Sequence, residues 1–340
     1  MRAYEIQESF GMENLRLVER PDPEPGFGQV VLRMKAASLN FRDLLMVRGH
    51  YNPRQPLPLI PCSDGVGEVV AVGDGVSRVA VGDRVAAIFS QTWHAGPPTA
   101  ARLQGTVGGP LDGTLCELLV LDAEGVVRVP DHLSDVEAAA LPCAAVTAWS
   151  SLVEQGSVGA GDVVLVQGTG GVSIFALQIA QVLGARVIIT SSSEAKLERA
   201  RAMGAWQTIN YVDDPAWGKT ARGLTDGVGV DHVVEVGGAG TLEQSLKAVR
   251  IGGTVSVIGV LSGVASQINI IPILMQNLRL QGILVGSRDG FERMNRAIEA
   301  HRIQPVIDRV FPFSDIPDAF AHMASGQHFG KICITINDEL

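Results

Sequence analysis

The sequence predicts an α/β protein in which a doubly wound parallel sheet is combined with a second, mostly antiparallel β domain. The chain has 340 residues, and at about 150 residues per domain this length indicates two domains. Between residues 140 and 287, apolar runs of strand length alternate with amphipathic helical stretches, which is typical of a parallel sheet covered by helices. Glycine is abundant, with 39 residues, as expected of a chain with many tight turns.

The composition excludes several classes of protein. The formal charge is −9, which disfavours binding to a phosphate backbone, so we expect no nucleic-acid partner. Hydrophobic residues make up 46% and charged residues 19%, which argues against a disordered chain. We find neither a signal peptide nor an apolar run long enough to span a membrane. The four cysteines form no CxxC pair, so we expect a cytoplasmic protein without a membrane partner.

Residues 1–134 predict the β domain. Four short apolar runs are separated by Pro and Gly, and they lie at 30–39, 65–73, 83–88 and 115–121. Short strands bounded by turn residues are typical of an antiparallel barrel or sandwich. We expect few helices in this part of the chain.

Residues 135–287 predict the doubly wound domain. Six nearly continuous apolar runs, as in strands buried on both faces, lie at 163–166, 186–190, 208–211, 232–236, 254–260 and 280–286. With helices between them, these runs predict a nucleotide-binding domain. Residues 288–340 are too short to fold alone. We expect them to return to the first domain, which leaves the central domain inserted in its sequence.

A glycine-rich turn joins the first of these six strands to a helix. Its residues, which we expect to contact the cofactor, are Gly168, Thr169, Gly170, Gly171 and Val172. Glycine allows a pyrophosphate to approach the backbone N–H groups at a helix N-terminus. Ser173 occupies the third small position of the GxGxxG motif, a departure that still suits close helix packing. The pattern predicts a dinucleotide site, and an ordinary strand-to-helix turn is the alternative.

The end of the second strand predicts NADPH as the cofactor. An NAD enzyme places a carboxylate there to bind the ribose 2′-OH, whereas this chain has Ser191 and Ser192. No carboxylate would repel a 2′-phosphate at this position, and Lys196 would neutralise it. We expect Ser193 to cap the following helix. A solvated helix residue is the alternative for Lys196.

The order of β domain, nucleotide-binding domain and tail resembles the medium-chain dehydrogenase/reductase superfamily. The stretches that narrow the resemblance to its zinc-free NADPH:quinone oxidoreductase-like branch are 40–43 (NFRD), 48–51 (RGHY), 73–83 (GDGVSRVAVGD), 209–211 (INY) and 326–331 (GQHFGK). The resemblance covers essentially the whole chain. It implies a GroES-like β-barrel catalytic domain, a Rossmann domain and an active site in the cleft between them.

The family's zinc positions carry unsuitable residues in this chain. In the alcohol dehydrogenase branch, a catalytic zinc is held by a Cys, by a His in a GHE motif and by a Cys or Asp after the first domain. Here the first position is Asn40, and the GHE-like position reads Cys62, Ser63 and Asp64. Asn and Ser are poor ligands for zinc, so we expect no metal. A cluster of Cys62, Asp64 and Cys143 is the alternative.

A reductase without a metal needs a substrate that is already electron-poor. Quinones and alkenes conjugated to a carbonyl meet this need, because the arriving negative charge spreads onto a remote oxygen. The resemblance implies that Asn40 donates a hydrogen bond to that oxygen and that Asp43 orients the loop. It places Tyr51 over the cleft, as a lining residue or a donor through its hydroxyl. A turn-forming residue is the alternative for Asn40.

Further cofactor contacts follow from the resemblance. It places Thr147 near the nicotinamide, Tyr211 beside the adenosine 2′-phosphate and Lys331 beside the cofactor. The residues expected at the carboxyl ends of parallel strands are Gly237, Gly259, Val260, Val285, Gly286 and Ser287. A solvated lysine is the alternative for Lys331.

The sequence therefore predicts an NADPH-dependent oxidoreductase that reduces a quinone or a conjugated alkene as its small-molecule substrate. A zinc-dependent alcohol dehydrogenase with atypical ligands and a non-catalytic NADPH-binding protein are the alternatives. The apolar run at 268–275 predicts a subunit edge, and with it a homodimer.

Overall fold

The chain folds into two compact units, here called unit 1 and unit 2. In a computed structural model that describes residues 1–336, unit 1 comprises Met1–Val146 and the chain from Gly286 onward, and unit 2 comprises Thr147–Val285. The boundaries expected from the sequence lie after residues 134 and 287. The first boundary differs because helical turns run almost without a break from residue 135 to residue 154, so no loop marks the change of unit.

The regular elements of the described residues are, in chain order, β1 Arg2–Ile6, β2 Leu15–Glu19, β3 Gln29–Leu39, α1 Phe41–Val47, β4 Asp64–Val72, β5 Arg84–Ala87, α2 Ala100–Leu103, β6 Leu118–Asp122, β7 Val126–Arg128, α3 Asp135–Ala139, α4 Val146–Trp149, β8 Val163–Gln167, α5 Gly171–Val182, β9 Arg186–Ser191, α6 Glu194–Ala202, β10 Gln207–Asn210, α7 Trp217–Gly223, β11 Val230–Glu235, α8 Leu242–Ala248, β12 Val249–Val257, α9 Ile271–Met275, β13 Arg279–Gly282, α10 Arg288–His301, β14 Ile307–Pro312, α11 Ile316–Ser325 and β15 Lys331–Thr335. Short 3₁₀ turns occupy Met12–Asn14, Ala123–Gly125 and Phe313–Asp315, and π-helical turns occupy Leu141–Ala145 and Ser150–Glu154.

Unit 1 is built on a seven-stranded sheet. Its strand order is β14-β15-β3-β4-β5-β7, and β6 joins it by pairing with β3. Every pair is antiparallel except β14 with β15, and β1 with β2 forms a separate antiparallel pair. The predicted, mostly antiparallel β domain is confirmed. The sequence did not predict α1, which begins directly after β3 because the Asp43 carboxylate accepts the backbone N–H of Asn40 at 2.8 Å.

Three strand ends meet in the unit 1 sheet and bring polar residues together. Leu39, the last residue of β3, is the register partner of Ile332 in β15. The β3 residue before it is the partner of Asp64, the first residue of β4. Asn40 follows Leu39 and Lys331 precedes Ile332, so the strand register alone places Asn40, Asp64 and Lys331 next to one another.

Unit 2 is a six-stranded parallel sheet with the order β10-β9-β8-β11-β12-β13. The chain winds outward from β8 to β10 and then crosses to β11 on the other side of β8. The predicted doubly wound topology is therefore confirmed. In such a sheet, ligands bind beyond the carboxyl ends of the strands, where the winding direction changes.

The last strand of unit 2 is shorter than the sequence predicted. The apolar run continues to residue 286, but β13 ends at Gly282. Val285, Gly286 and Ser287 therefore lie in the segment that leads into α10, not at a strand end. The Ser287 hydroxyl caps α10 by accepting the N–H of Gly290 at 3.2 Å, a structural role that the sequence analysis did not assign to it.

Each unit buries its own apolar core. In unit 1 the core includes Leu32, Met34, Leu44, Phe320 and Ile332, which join residues from both segments of the unit. The core of unit 2 lies between its sheet and helices and includes Leu165, Ile188, Val233, Leu246 and Val255. Each core is a contiguous cluster of buried apolar side chains, and such burial favours folding.

Helices that could cross a membrane are not found among residues 1–336, because none is both long and apolar enough. Apolar side chains are nevertheless exposed in the predicted subunit edge at 268–275. Those most exposed are Ile270, Ile271, Leu274 and Met275. In a single chain this segment of unit 2 therefore presents an uncovered apolar surface.

One buried histidine of unit 2 has no role in the motifs described above. His232 lies in β11, and its Nε2 is 3.2 Å from the Ser151 hydroxyl and 3.0 Å from the Ser256 hydroxyl. Burial lowers the pKa of His232 to about 4, and Arg279 lowers it further while Asp231 opposes the shift. The ring is therefore neutral at pH 7.

This histidine is expected to make unit 2 acid-labile. A histidine in the unfolded chain has a pKa of about 6.5. Between that pH and about 4, His232 is therefore protonated in the unfolded state and neutral in the folded state. Stability should fall as the pH drops from about 6.5 towards 4, by up to roughly 3 kcal/mol from this group. In urea unfolding at pH 7, 6, 5 and 4, the free energy of unfolding should fall less steeply with decreasing pH in His232→Gln than in the wild type. The exposed His50→Gln should keep the wild-type slope, and equal slopes in all three proteins would contradict the assignment.

Candidate active site

A buried ammonium group is the centre of the polar cluster in unit 1. Lys331 is 3% exposed, and its Nζ donates to the Leu39 carbonyl at 2.8 Å and to Asn40 Oδ1 at 2.6 Å. The same Nζ lies 3.6 Å from Asp64 Oδ2. Three oxygens thus surround the three N–H groups of one lysine. The alternative of a solvated lysine is wrong.

Asp64 is the buried anion that this ammonium faces. Its carboxylate also accepts the Ser63 hydroxyl at 2.9 Å and the backbone N–H of Cys143 at 3.2 Å. Burial raises the pKa of Asp64, while Lys331, Asn40, Ser63 and the Cys143 N–H oppose that shift. A buried carboxylate with an ion-pair partner and two further donors satisfies the usual condition for keeping a charge in a protein interior.

The lysine also sets the orientation of the Asn40 amide. Because Asn40 Oδ1 accepts from the ammonium, the opposite end of the amide must be the NH₂ group. One of its hydrogens is directed to the Ser63 hydroxyl at 3.4 Å. Asn40 is only partly buried, and its amide also hydrogen-bonds to the Asp64 carboxylate. This geometry fits the expected role of Asn40 as a hydrogen-bond donor, which stays a prediction.

Asp43, Arg42 and Tyr51 form the neighbouring part of the cluster. Burial raises the pKa of Asp43 to about 6 against the opposing effect of Arg42, whose guanidinium lies 3.5 Å from the carboxylate. The same guanidinium lies 4.8 Å from the ring centre of Tyr51, which stays 42% exposed. The sequence analysis missed Arg42. Its donation to the carbonyls of Val107 and Gly109 depends on residues far away in the chain.

The side chains at the family's zinc positions do not fit a zinc ion. Asn40 and Ser63 offer neutral amide and hydroxyl groups, and both are hydrogen-bonded within the cluster. The Cys62 thiol is directed at the Ser38 carbonyl at 3.3 Å. Within residues 1–336, no group of three or more His, Cys, Asp or Glu side chains is arranged to hold a metal. The alternative cluster of Cys62, Asp64 and Cys143 is therefore not formed as a ligand set.

The glycine-rich turn of unit 2 leads into a helix whose N-terminus no side chain caps. Gly168 has φ +69°, a conformation that favours glycine, and its N–H donates to the Thr190 carbonyl at 2.8 Å. Helix α5 begins at Gly171, and no side chain caps its N-terminus, so the first N–H groups are available to a phosphate. Ser173 donates to the Gln167 carbonyl at 2.7 Å, which ties the helix to the end of β8. These residues fit the pyrophosphate of a dinucleotide.

The residues expected at the adenosine ribose lie at two neighbouring strand ends. Ser191 closes β9 and is the register partner of Asn210, the last residue of β10, and the N–H of Tyr211 donates to the Ser191 carbonyl at 3.1 Å. Ser192 and Tyr211 are exposed, whereas Ser191 is buried and its hydroxyl accepts the Ser193 N–H at 3.3 Å. Ser193 in turn accepts the backbone N–H of Lys196, as a cap should.

Glu235 organises the loop after β11, and the sequence analysis missed it. Its carboxylate accepts the N–H groups of Gly237 and Gly238, both at 2.9 Å, and the Thr241 hydroxyl at 2.6 Å. The Gln167 amide donates at 2.6 Å and the Ser245 hydroxyl also donates. The sequence contained one signal for this network, a glutamate at the end of an apolar strand. A carboxylate buried there needs several hydrogen-bond donors around it.

The other expected cofactor residues lie outside the glycine-rich turn and the ends of β9 and β10. Gly259 packs against the loop that Glu235 holds, since a Cβ on Gly259 would lie 2.3 Å from the Val236 carbonyl oxygen. Val260 follows it and is exposed, while Thr147 is buried in α4. Cofactor contact by these residues and by Lys331 stays a prediction.

Comparisons with known proteins agree with this architecture. Residues 26–131 match the alcohol dehydrogenase GroES-like domain, and residues 171–300 match the zinc-binding dehydrogenase family. A zinc-type alcohol dehydrogenase-like protein of Schizosaccharomyces pombe is 43% identical over 316 residues, which is 91% of each chain. The chain belongs to the zinc-type alcohol dehydrogenase-like group of the medium-chain dehydrogenase/reductase superfamily. The predicted GroES-like and Rossmann domains are confirmed.

Other relatives of this medium-chain oxidoreductase differ in cofactor and activity. An NAD-dependent alcohol dehydrogenase structure has a TM-score of 0.91 at 35% identity and covers 99% of this chain and 100% of its own. A mycobacterial structure in complex with NADPH has a TM-score of 0.83 at 28% identity, with coverage of 99% and 100%. Acryloyl-coenzyme A reductase of Metallosphaera sedula is 28% identical, with coverage of 93% and 95%.

These findings settle the broad assignment. The protein is an NAD(P)-dependent oxidoreductase with a small-molecule substrate, as predicted. The names of the relatives favour the zinc-type alcohol dehydrogenases, which was the alternative interpretation of the sequence, over the zinc-free quinone oxidoreductase branch. The zinc-free branch and the preference for NADPH stay predictions.

The Glu235 network should support cofactor binding. In Glu235→Gln, an NH₂ group replaces one acceptor oxygen and faces donors, so we expect a loss of roughly 2 kcal/mol in unfolding free energy. The Gly237 turn should loosen, and the Kd of NAD(P)H should rise several-fold. Glu243→Gln is the matched control, because Glu243 is exposed and pairs with Lys247 at 2.7 Å. Equal behaviour of the two variants in urea unfolding and fluorescence titration would contradict the role of Glu235.

Proposed function

We propose that this oxidoreductase uses NADPH to reduce a quinone or an alkene conjugated to a carbonyl, and that it does so without zinc. The observation that carries the proposal is the Lys331 ammonium, which lies 2.6 Å from Asn40 Oδ1 and 3.6 Å from Asp64. A zinc ion needs anionic or soft ligands at these positions. Here Asn40 Oδ1 and the Asp64 carboxylate face the Lys331 ammonium, a cation that is part of the chain.

The chemistry required of the protein is modest for such substrates. The nicotinamide of the cofactor would supply a hydride when it is bound, and a proton from water would complete the reduction. The chain must stabilise the charge that develops on the substrate oxygen, and one hydrogen-bond donor held in place can do this. We assign that donor to Asn40 Nδ2, because Lys331 holds the other end of the amide. Tyr51, on the exposed side of Arg42, is assigned to the lining of the substrate site.

A relative supports the choice of substrate class. Acryloyl-coenzyme A reductase matches this chain over 93% of its length. Its name describes the reduction of an alkene conjugated to a thioester carbonyl. The activation of that alkene comes from the substrate itself, which is the property that the unit 1 cluster would require of any substrate.

A second candidate is a zinc-dependent alcohol dehydrogenase with atypical ligands. The observation that favours it is the naming of relatives, including the one at 43% identity. Zinc would then need a set of ligands other than the side chains of Asn40, Ser63 and Asp64 in the arrangement described above.

One experiment separates these functions. Consumption of NADPH and of NADH is followed with quinones, enones, saturated aldehydes and ketones, and the metal content of the same sample is measured. We expect turnover with quinones or enones and less than one-tenth of an equivalent of zinc. One tightly held zinc per chain with activity lost on chelation would establish the alcohol dehydrogenase instead. Tight NADPH binding without any turnover would favour a binding protein.

Homodimerisation also belongs to this proposal. The exposed apolar side chains of 268–275 are suited to a contact between two copies of unit 2. Analytical ultracentrifugation should find a dimer, and a monomer at micromolar concentration would rule it out.

Removing the Asn40 amide should slow the reaction and spare cofactor binding. Asn40→Ala deletes the donor, so we expect kcat to fall roughly 10- to 100-fold, with the Kd of NADPH changed less than about twofold. Steady-state kinetics and fluorescence titration measure the two quantities. Asn14→Ala is the control, because the Asn14 amide donates to the Ser9 hydroxyl at 2.8 Å and has no part in the cluster. Wild-type turnover in Asn40→Ala would remove this residue from the mechanism.

An acid at the end of β9 should reverse the cofactor preference. Ser192 is exposed and follows Ser191, whose carbonyl accepts the Tyr211 N–H, so the carboxylate of Ser192→Asp would repel a 2′-phosphate and suit a 2′-OH. We expect the KM for NADPH to rise roughly tenfold or more and the KM for NADH to change little. Ser157→Asp, before the amino end of β8, is the matched control. Equal changes for both cofactors would refute the NADPH assignment.

A further inference from the structure

We propose that the Lys331 ammonium acts in this chain as a built-in cation, replacing a divalent metal within the Asn40, Ser63 and Asp64 cluster and excluding one from it. This inference rests on the proposed zinc-free reaction and goes further, because it names the group that fills the place of the metal and makes Lys331 a positioning residue for Asn40.

The oxygens around Lys331 resemble the surroundings of a bound cation. A backbone carbonyl, an amide oxygen and a carboxylate face the same nitrogen, at 2.8, 2.6 and 3.6 Å. The register of β15 against β3 fixes the start of the lysine side chain beside Leu39. The ammonium therefore reaches this place through the strand pairing, and no separate loop movement is needed to bring it there.

The charges of the cluster are already balanced. Lys331 pairs with Asp64, and Arg42 pairs with Asp43 at 3.5 Å. Both acids are completely buried, so each depends on its own basic partner. A divalent cation placed beside Asp64 would meet the ammonium at close range in a poorly solvated region, where repulsion between like charges is strong.

The same contact gives Lys331 a role in the reaction. It holds Asn40 Oδ1 and so fixes the Asn40 Nδ2 donor on the opposite end of the amide, beside Ser63 and Asp64. Without the ammonium, the amide is free to turn its oxygen towards the substrate oxygen, which would repel the developing charge. Lys331 thus acts through Asn40 as a positioning residue.

The first test introduces the family's zinc ligands with and without the lysine. The full-length proteins are Asn40→Cys with Ser63→His, and the same pair combined with Lys331→Met. Each is incubated with zinc sulfate, desalted and analysed for metal by mass spectrometry. We expect less than about one-fifth of an equivalent while Lys331 is present and about one equivalent when it is replaced. A full equivalent of zinc with Lys331 present, or none in the folded triple variant, would overturn the proposal.

The second test needs no new ligands and covers the case in which those variants fail to fold. Lys331→Met leaves Asp64 without its cation, so its thermal unfolding midpoint should fall by at least several degrees. Adding Asp64→Asn should recover most of the loss, because the unpaired charge is then gone. Lys35→Met is the matched control, since Lys35 is a half-buried lysine that pairs with Glu68 at 3.5 Å. No recovery by Asp64→Asn would overturn the role of Lys331 as the cation for Asp64.

Kinetics separate positioning from cofactor contact. In Lys331→Met we expect kcat to fall at least tenfold while the Kd of NADPH stays within twofold of the wild type. A large rise in that Kd with unchanged kcat would show that Lys331 serves the cofactor and not Asn40.

The two proposals can fail independently. Absence of turnover with every quinone and enone would refute the proposed function, while the metal and unfolding tests would still decide the role of Lys331. One tightly held zinc in the wild-type protein would refute both.

Discussion

The ion pair between Lys331 and Asp64 is the interaction on which the polar cluster of unit 1 depends. Both groups are buried, and each would be costly to keep charged without the other. Their meeting follows from the order of the sheet, in which β15 and β4 both pair with β3. The pair then holds Asn40 through its amide oxygen and Ser63 through its hydroxyl. The orientation of the Asn40 amide is thus tied to one contact between strand ends.

Unit 2 also places its expected binding residues at strand ends and supports them with a buried acid, here for a dinucleotide. A dinucleotide needs backbone N–H groups that are close together and not blocked by side chains, and the turn from β8 to α5 supplies them. Glu235 and Gln167 keep the neighbouring loop in place through a buried network in which the described donors and acceptors are matched. Both units therefore build their sites at strand ends and stabilise them with a buried acid.

The family assignment and the chemistry of the cluster differ in an informative way. The relatives carry the names of zinc-type alcohol dehydrogenases, yet the side chains at the zinc positions are an amide, a hydroxyl and a carboxylate that faces an ammonium. A fold can keep its architecture while its site changes, because the sheet register is set by many residues and the ligand set by only a few. In this chain three oxygens of the cluster face one cation, the Lys331 ammonium, which is part of the protein.

The sequence by itself determined the two kinds of sheet, the glycine-rich turn and the superfamily. Apolar periodicity, Gly168 and the short motifs are local signals, and local signals can be read along a chain. The Ser193 cap was predicted for the same reason. Only the tertiary structure decided what Lys331, Arg42 and Glu235 do. Lys331 lies 291 residues from Asn40, and Arg42 bonds to carbonyls some 65 residues away. Whether a charged side chain is solvated or buried depends on what the fold places around it. A single sequence does not show which remote residues become its neighbours.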